Sequence, residues 1–190
     1  GTQMVTKGHD FEGVTLVGVL QPDLGMHLPD FRAAERTFQL LEQVAGRAGR
    51  GQRPGRIMVQ TYCPDHPAIR YLCHHDYEGF VRDELAQRKN ANYPPFSRMI
   101  ALRLDGREEN LVRTTAAAVA ARARLQGGGI VRVLGPAEAP IRRLRGRIRY
   151  QIWLSGTDRC KLMAAALAAR EVTLPRDVRL ALDVDPQSVL

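Results

Sequence analysis

Two consecutive prolines, Pro94 and Pro95, within Asn92-Tyr93-Pro94-Pro95-Phe96, constrain this chain more than any other feature. Together they remove two backbone donors and hold the preceding backbone extended, so no helix crosses them. The chain is therefore read as two regions, residues 1–91 and 92–190. In the first, Gly1 to Phe11 is a polar, glycine-broken loop. Val14 to Leu20 (VTLVGVL) is a short apolar run suited to a strand buried on both faces of a parallel sheet. Pro22, Gly25 and Pro29 make a loop, Asp30 is placed to cap a helix, and Gly49, Gly51, Pro54 and Gly55 end it. Arg56 to Tyr62 is a second strand, which completes a βαβ unit with its ligand-binding loops at the carboxyl ends of the strands. Ala68 to about Arg88 is helical, either one helix broken near Gly79 or two.

Beyond the prolines, Arg98 to Leu104 alternates as a strand, and Glu108 to Leu125 is an alanine-rich helix closed by Gly127-Gly128-Gly129. Ile130 to Leu134 and Ile148 to Leu154 are strands, Arg159 to Arg170 is a helix with Asp158 at its N-cap, and Val178 to Val184 is the last strand. The order βαββαβ predicts a split βαβ, ferredoxin-like α+β domain: four antiparallel strands with two helices on one face. The expected class is thus α/β, a parallel βαβ part followed by an antiparallel α+β domain.

A formal net charge of +8 and a pI near 10.0 make nucleic acid the first partner to consider. No apolar run approaches the roughly 18 residues of a membrane span, and no leader pattern precedes the first strand, so no membrane partner is expected. Cys63, Cys73 and Cys160 are odd in number and form no CxxC pair, which suits a reducing cytoplasm. Because the chain opens at Gly1 inside a motif, it is expected to be part of something longer.

Chemistry concentrates first in QVAGRAGRG, Gln43 to Gly51. On a helix, Gln43, Arg47 and Arg50 fall at i, i+4 and i+7, while Phe31, Ala34, Phe38, Leu41, Ala45 and Ala48 form the opposite, core-facing stripe. Two guanidiniums a turn apart, beside Gly46 and Gly49, suit a spread negative charge such as a transferring γ-phosphoryl group. In the opening loop, Thr2 and Gln3 supply donors for a phosphate, and Asp10, in Gly8-His9-Asp10-Phe11, can hold an arginine or a ribose hydroxyl; a plain surface loop fits the same residues.

A second concentration is RRLRGRIRYQIW, Arg142 to Trp153. In extended chain, Arg143, Arg145, Arg147, Arg149 and Gln151 share one face, and Leu144, Ile148, Tyr150 and Ile152 the other; a turn at Gly146 would break that single face. Unless phosphates or carboxylates lie across it, such a row repels itself. Trp153 reads as a partly buried strand residue, and Asp183 and Asp185 as solvent-facing strand positions. Cys63, His66, Cys73, His74 and His75 match no standard zinc spacing, so no metal ligands are assigned.

The order of loop, strand, helix and double-arginine string resembles motifs V and VI in the second RecA-like lobe of superfamily 2 helicases. PDFRAAERTFQLLEQVAGRAGRG, YPPF, LGPAEAPI, RIRYQ and DVDP extend the likeness to the primosomal replication-restart helicase family along the whole chain. This resemblance implies that Thr2, Gln3 and Lys7 touch the DNA strand, that Gly8 and Asp10 adjoin the nucleotide site, and that Gln43, Arg47 and Arg50 serve catalysis, the arginines reaching the ATP phosphates as fingers. It also implies a ribosomal-protein-like C-terminal domain that meets forked and single-stranded DNA through Arg143, Arg145, Arg147 and Arg149. Arg147 and Gln151 would take the acidic tail of single-stranded DNA-binding protein, with other primosome proteins as further partners.

ATP and Mg²⁺ are expected only in a full-length protein, because these residues contain no G-x-x-x-x-G-K-[ST] and no acidic Walker B box. Zinc is expected in a cysteine-rich segment upstream, and nothing bound to these 190 residues. By the same resemblance the whole protein would be a cytoplasmic, ATP-dependent 3′-to-5′ DNA helicase that restarts replication by primosome assembly, and this chain alone would not hydrolyse ATP. The alternative is an autonomous nucleic-acid-binding module without motor activity.

Overall fold

The computed structural model describes residues 14–46, 48 and 55–188. The chain divides into two compact units, Gly1–Gln87 and Arg88–Leu190. In the first, β1 (Leu16–Leu20) and β2 (Arg56–Gln60) pair in parallel, from Leu16 opposite Arg56 to Leu20 opposite Gln60. Between them come a one-turn helix α1 (Asp23–Met26) and α2 (Ala33–Ala45). α3 (Pro67–Cys73) and α4 (Tyr77–Ala91) follow, the last turn of α4 belonging to the second unit. The core joins Met26, Phe38, Leu41, Ala68, Ile69, Leu72 and Phe80, with Phe38 and Phe80 stacked at a centroid separation of 4.2 Å.

Several sequence expectations shift here. The loop after β1 contains α1, and α2 starts at Ala33 because Asp30 acts one turn earlier: its Oδ1 accepts the Arg32 N–H at 2.9 Å and its Oδ2 pairs with Arg36 at 2.8 Å. With the helix shifted, Ala33 and Thr37 are buried beside Phe38 and Leu41, whereas Phe31 is only half-buried. The 68–88 stretch forms two helices, broken at His74–Asp76 rather than at Gly79; Asp76 accepts the Gly79 N–H at 2.8 Å and so starts α4. β1 is not buried on both faces: Leu16, Leu20 and Met58 are exposed on one side of the two-stranded sheet, and α2 lies against the other, where Val19 and Val59 meet the core.

The second unit is a four-stranded antiparallel sheet, ordered β4 (Arg132–Leu144), β5 (Arg147–Gly156), β3 (Arg98–Gly106), β6 (Arg179–Val184). α5 (Glu109–Gly127) follows β3 and α6 (Arg159–Arg170) follows β5, which gives the βαββαβ order of the split βαβ plan. One parity of the central strands, Ile100, Leu102 and Leu104 with Ile148, Tyr150, Ile152 and Leu154, packs against Val112, Ala116, Val119, Ala120 and Ala123 of α5 and Leu162, Ala165, Ala166 and Ala169 of α6. Alanine on both helices lets their backbones sit close to the sheet. Asp158 caps α6, accepting the N–H groups of Cys160 and Lys161 at 2.9 and 3.1 Å. Gly128 ends α5 in the left-handed conformation that glycine adopts without cost.

β4 is longer than expected, running through GPAEAPI to Leu144. As an edge strand it tolerates Pro136 and Pro140 where a central strand would lose ladder bonds, and its pairing slips between Leu134 and Ala137 and again between Glu138 and Arg143.

Candidate nucleic-acid interface

β4 and β5 meet in a two-residue turn, Arg145-Gly146, with φ of 50° and 76°. Both central residues are therefore left-handed, as a type I′ hairpin requires, and such a turn twists with its flanking strands. This corrects the expected single arginine face. The chain reverses at Arg145, so Arg143 lies opposite Ile148 on the helix-covered side, whereas Leu144 lies opposite Arg147 on the other side.

Two arginines anchor the hairpin. The Arg147 Nε donates to Asp105 Oδ1, NH1 to Asp177 Oδ1 at 3.3 Å, and NH2 to the carbonyls of Asp105 and Asp177 at 3.1 and 2.5 Å. Its side chain is only 16% exposed. The Asp105 hydrogen bond, ahead of the charges of Asp105 and Asp177, raises the Arg147 pKa further above its already high value. The Asp177 carboxyl is held below the usual carboxylate range, first by the Arg107 N–H donating at 2.6 Å and then by Arg147. Arg147 was expected to face DNA or an acidic tail; its guanidinium instead ties β5 to the end of β3 and the approach to β6. The second anchor, Arg142, lies between Glu109 at 2.6 Å and Glu138 at 3.1 Å, and both carboxylates raise its pKa.

The remaining guanidiniums of the hairpin are not neutralised. Arg143 and Arg145 are exposed and make no side-chain hydrogen bond or ion pair among the described residues. Arg149 reaches only the Ile141 carbonyl, at 3.5 Å. Exposed Ile141 and Leu144 stand beside them. Gln151 and Trp153 are half-buried on the sheet face away from the helices, where Trp153 lies between Ala101 and Leu134. Asp183 and Asp185, the latter just past β6, face solvent as expected, and each also pairs with an arginine, Asp183 with Arg103 and Asp185 with Arg98, both at 3.3 Å.

Charge divides unevenly. Residues 88–190 carry 19 Lys and Arg against 9 Asp and Glu, a formal +10; residues 1–87 carry 9 against 11, a formal −2. The positive field of the chain thus arises wholly from the second unit.

Of the other predicted site residues, Thr2, Gln3, Lys7, Gly8, Asp10, Arg47 and Arg50 lie outside the described residues. Gln43 is exposed in the last turn of α2. At the carboxyl ends of β1 and β2, Asp23 Oδ1 accepts from the Thr61 hydroxyl at 2.7 Å and the Tyr62 N–H at 3.0 Å, and the Thr61 bond chiefly holds the Asp23 carboxyl low. His66 caps α3, its Nδ1 accepting the Ala68 N–H at 3.2 Å; burial, then the neighbouring His27, holds its imidazole below the ordinary range. The positioning residues Asp105, Glu109 and Asp177 escaped sequence reasoning. Their partners lie 30 to 42 residues away, beyond the reach of any local spacing.

Residues 89–187 match the family described as Primosomal protein N C-terminal domain. Across 189 residues, the whole of this chain, it is 42% identical to a Replication restart protein PriA of Synechocystis, of which it covers 23%. It is 43% identical over 164 residues, 86% of the chain, to that of Bacillus subtilis, of which 20% is covered. With the Haemophilus influenzae protein of the same name identity is 36% over 191 residues, the whole chain and 26% of the relative. The chain thus spans about a quarter of the length of the curated relatives it matches. Among the described residues no helix is long and apolar enough to cross a membrane. With 99 of its 190 residues forming that C-terminal domain, the chain belongs to the primosomal protein N family.

Proposed function

We propose that this chain is the C-terminal part of an ATP-dependent 3′-to-5′ DNA helicase that restarts replication at stalled or forked intermediates by primosome assembly in the cytoplasm. The observation that carries the reading is the set of unneutralised guanidiniums, Arg143, Arg145 and Arg149, on a unit of formal charge +10. Phosphates are the counter-charge such a surface lacks, and each one neutralised releases condensed cations, so affinity for DNA falls steeply with salt. The names of the relatives, all replication restart proteins, point the same way.

In this reading Thr2, Gln3 and Lys7 contact the DNA strand. Gly8 and Asp10 border the nucleotide site, and Gln43, Arg47 and Arg50 complete it, the two arginines as fingers. ATP with Mg²⁺ binds where the full-length protein supplies a P-loop, and zinc binds upstream. ATP bound there would supply the phosphoryl group and Mg²⁺ would offset its charge, and Arg47 and Arg50 would stabilise the charge that develops on it. The acidic tail of single-stranded DNA-binding protein docks at Gln151, half-buried on the sheet face away from the helices.

The purified chain is expected to bind forked DNA in a salt-dependent manner and to show no DNA-stimulated ATPase. Turnover of ATP by these 190 residues, or fork affinity independent of salt, refutes the proposal.

A further inference from the structure

Arg145 occupies a backbone position that an L-residue with a long side chain enters only at a cost. Its φ is 50°, at the first central position of a hairpin turn where Asn, Asp or Gly is strongly preferred. The second central residue is already Gly146, with φ 76° and open space around the position of a Cβ. Nothing in the fold repays Arg145, because its side chain is exposed and makes no side-chain hydrogen bond or ion pair among the described residues.

The surroundings of this apex are built to hold it out. Arg142 and Arg147 flank it, and both are locked in carboxylate pairs. Arg143 and Arg149 lie on opposite faces of the hairpin, with Arg145 between them at the turn. A flat acidic surface could meet only one of these faces. Two walls of phosphate, one on each side, would meet both, and a groove of duplex DNA has that form. The major groove, roughly 12 Å wide, admits a two-stranded ribbon. Between Ala137 and Arg149 there is no aromatic residue, so the tip offers no platform on which unpaired bases could stack. Ile141 (45% exposed) and Leu144 (49%) provide apolar contacts of the kind that base edges accept.

From this we infer that the Arg145-Gly146 turn is a duplex-reading tip, inserted into a groove of double-stranded DNA with Arg143 and Arg149 on its two phosphate walls. The inference rests on the nucleic-acid reading above and narrows it to the double-stranded part of a fork.

The test compares Arg145→Asn with the parent 190-residue chain on a short blunt duplex, on oligo(dT) of equal length and on an Asp-rich peptide, with thermal unfolding recorded for both proteins. Asn suits the left-handed turn and removes the charge, so the fold is retained and the melting temperature rises by about 2–5 °C. Losing the one cationic contact that the tip makes within the groove at about 0.15 M salt lowers duplex affinity about fivefold, and oligo(dT) affinity changes less than twofold. Equal losses on duplex and oligo(dT), or a loss confined to oligo(dT) or the peptide, overturn the inference, as does unchanged duplex affinity. Arg145→Gly, which also relieves the turn, must reproduce the result. A parallel Arg143→Ala/Arg149→Ala variant separates the two levels: if its salt slope on every DNA equals that of the parent, the nucleic-acid reading itself fails. If that slope drops while Arg145→Asn fails to discriminate duplex from single strand, only the duplex tip is lost.

Discussion

The two units differ in how their charge is balanced. In Gly1–Gln87 Arg36 and Arg70 pair with Asp30 and Asp83, and acidic residues outnumber basic ones, for a formal charge of −2. In Arg88–Leu190 a few carboxylates serve as anchors, Asp105 and Asp177 for Arg147, Glu109 and Glu138 for Arg142, and many guanidiniums remain over. Their cores differ too. The antiparallel sheet has one face closed by two alanine-rich helices, whereas the parallel pair β1–β2 leaves Leu16, Leu20 and Met58 in solvent. A surplus of one charge costs stability through self-repulsion, and a large closed core can offset it. Among the described residues the surplus of guanidiniums thus sits on the unit whose sheet is closed by two helices.

The largest expected effects test whether the two cores are separate. Phe38→Ala, which empties the stack on Phe80, should destabilise the first unit by about 3–5 kcal/mol, and Leu102→Ala should destabilise the second by about 2–5 kcal/mol. In calorimetry each substitution should lower one transition only; movement of both transitions by either change would break the contrast. A smaller effect sharpens the division of labour among the hairpin arginines. Arg143→Ala/Arg149→Ala should reduce the slope of log affinity against log salt by about 2 and leave unfolding nearly unchanged. Arg147→Ala, by contrast, should lower the melting temperature of the second unit, because it strands Asp105 and Asp177, while the slope falls by less than about 1. A stable Arg147→Ala protein with a strongly reduced slope would reverse their roles.

The smallest effect is in pH. His66 has a folded pKa below its unfolded value, so it binds fewer protons when folded. Its contribution is complete above about pH 6.5 and is lost as pH falls from there through the folded value. Asp177 is also depressed, but from the carboxylate range, so its contribution holds above about pH 4 and is lost only below that. Between about pH 6.5 and 4.5 the first unit should therefore weaken while the second does not, as read by thermal scans. His66→Asn, which retains an N-cap acceptor, should flatten the response of the first unit.

Much of the fold was legible because its signals are local. The helix stop before the double proline, the Asp158 cap, the glycine stop after α5 and the period-two alternation of β3 and β5 each act over a few residues, and each falls where the local signal puts it, although the two compact units divide after Gln87 and not at the prolines. The start of α2 was misread because Asp30 serves a turn instead of the N-cap, a choice set by its burial against Arg36. β4 was cut short because Gly135, Pro136 and Pro140 look like breakers, and only its place at the sheet edge makes them tolerable.

By itself the sequence determined which residue types carry the charge, that a turn was available at Gly146, and that Leu144, Ile148, Tyr150 and Ile152 alternate with arginines. Tertiary structure decided which of those arginines are occupied. Alternation specifies a face, but whether a guanidinium on it is neutralised depends on carboxylates brought up by other strands, and Asp105 and Asp177 reach Arg147 only once β3, β5 and β6 lie side by side. Chain closure over 30 to 42 residues, not local spacing, separates an anchoring arginine from one left facing solvent.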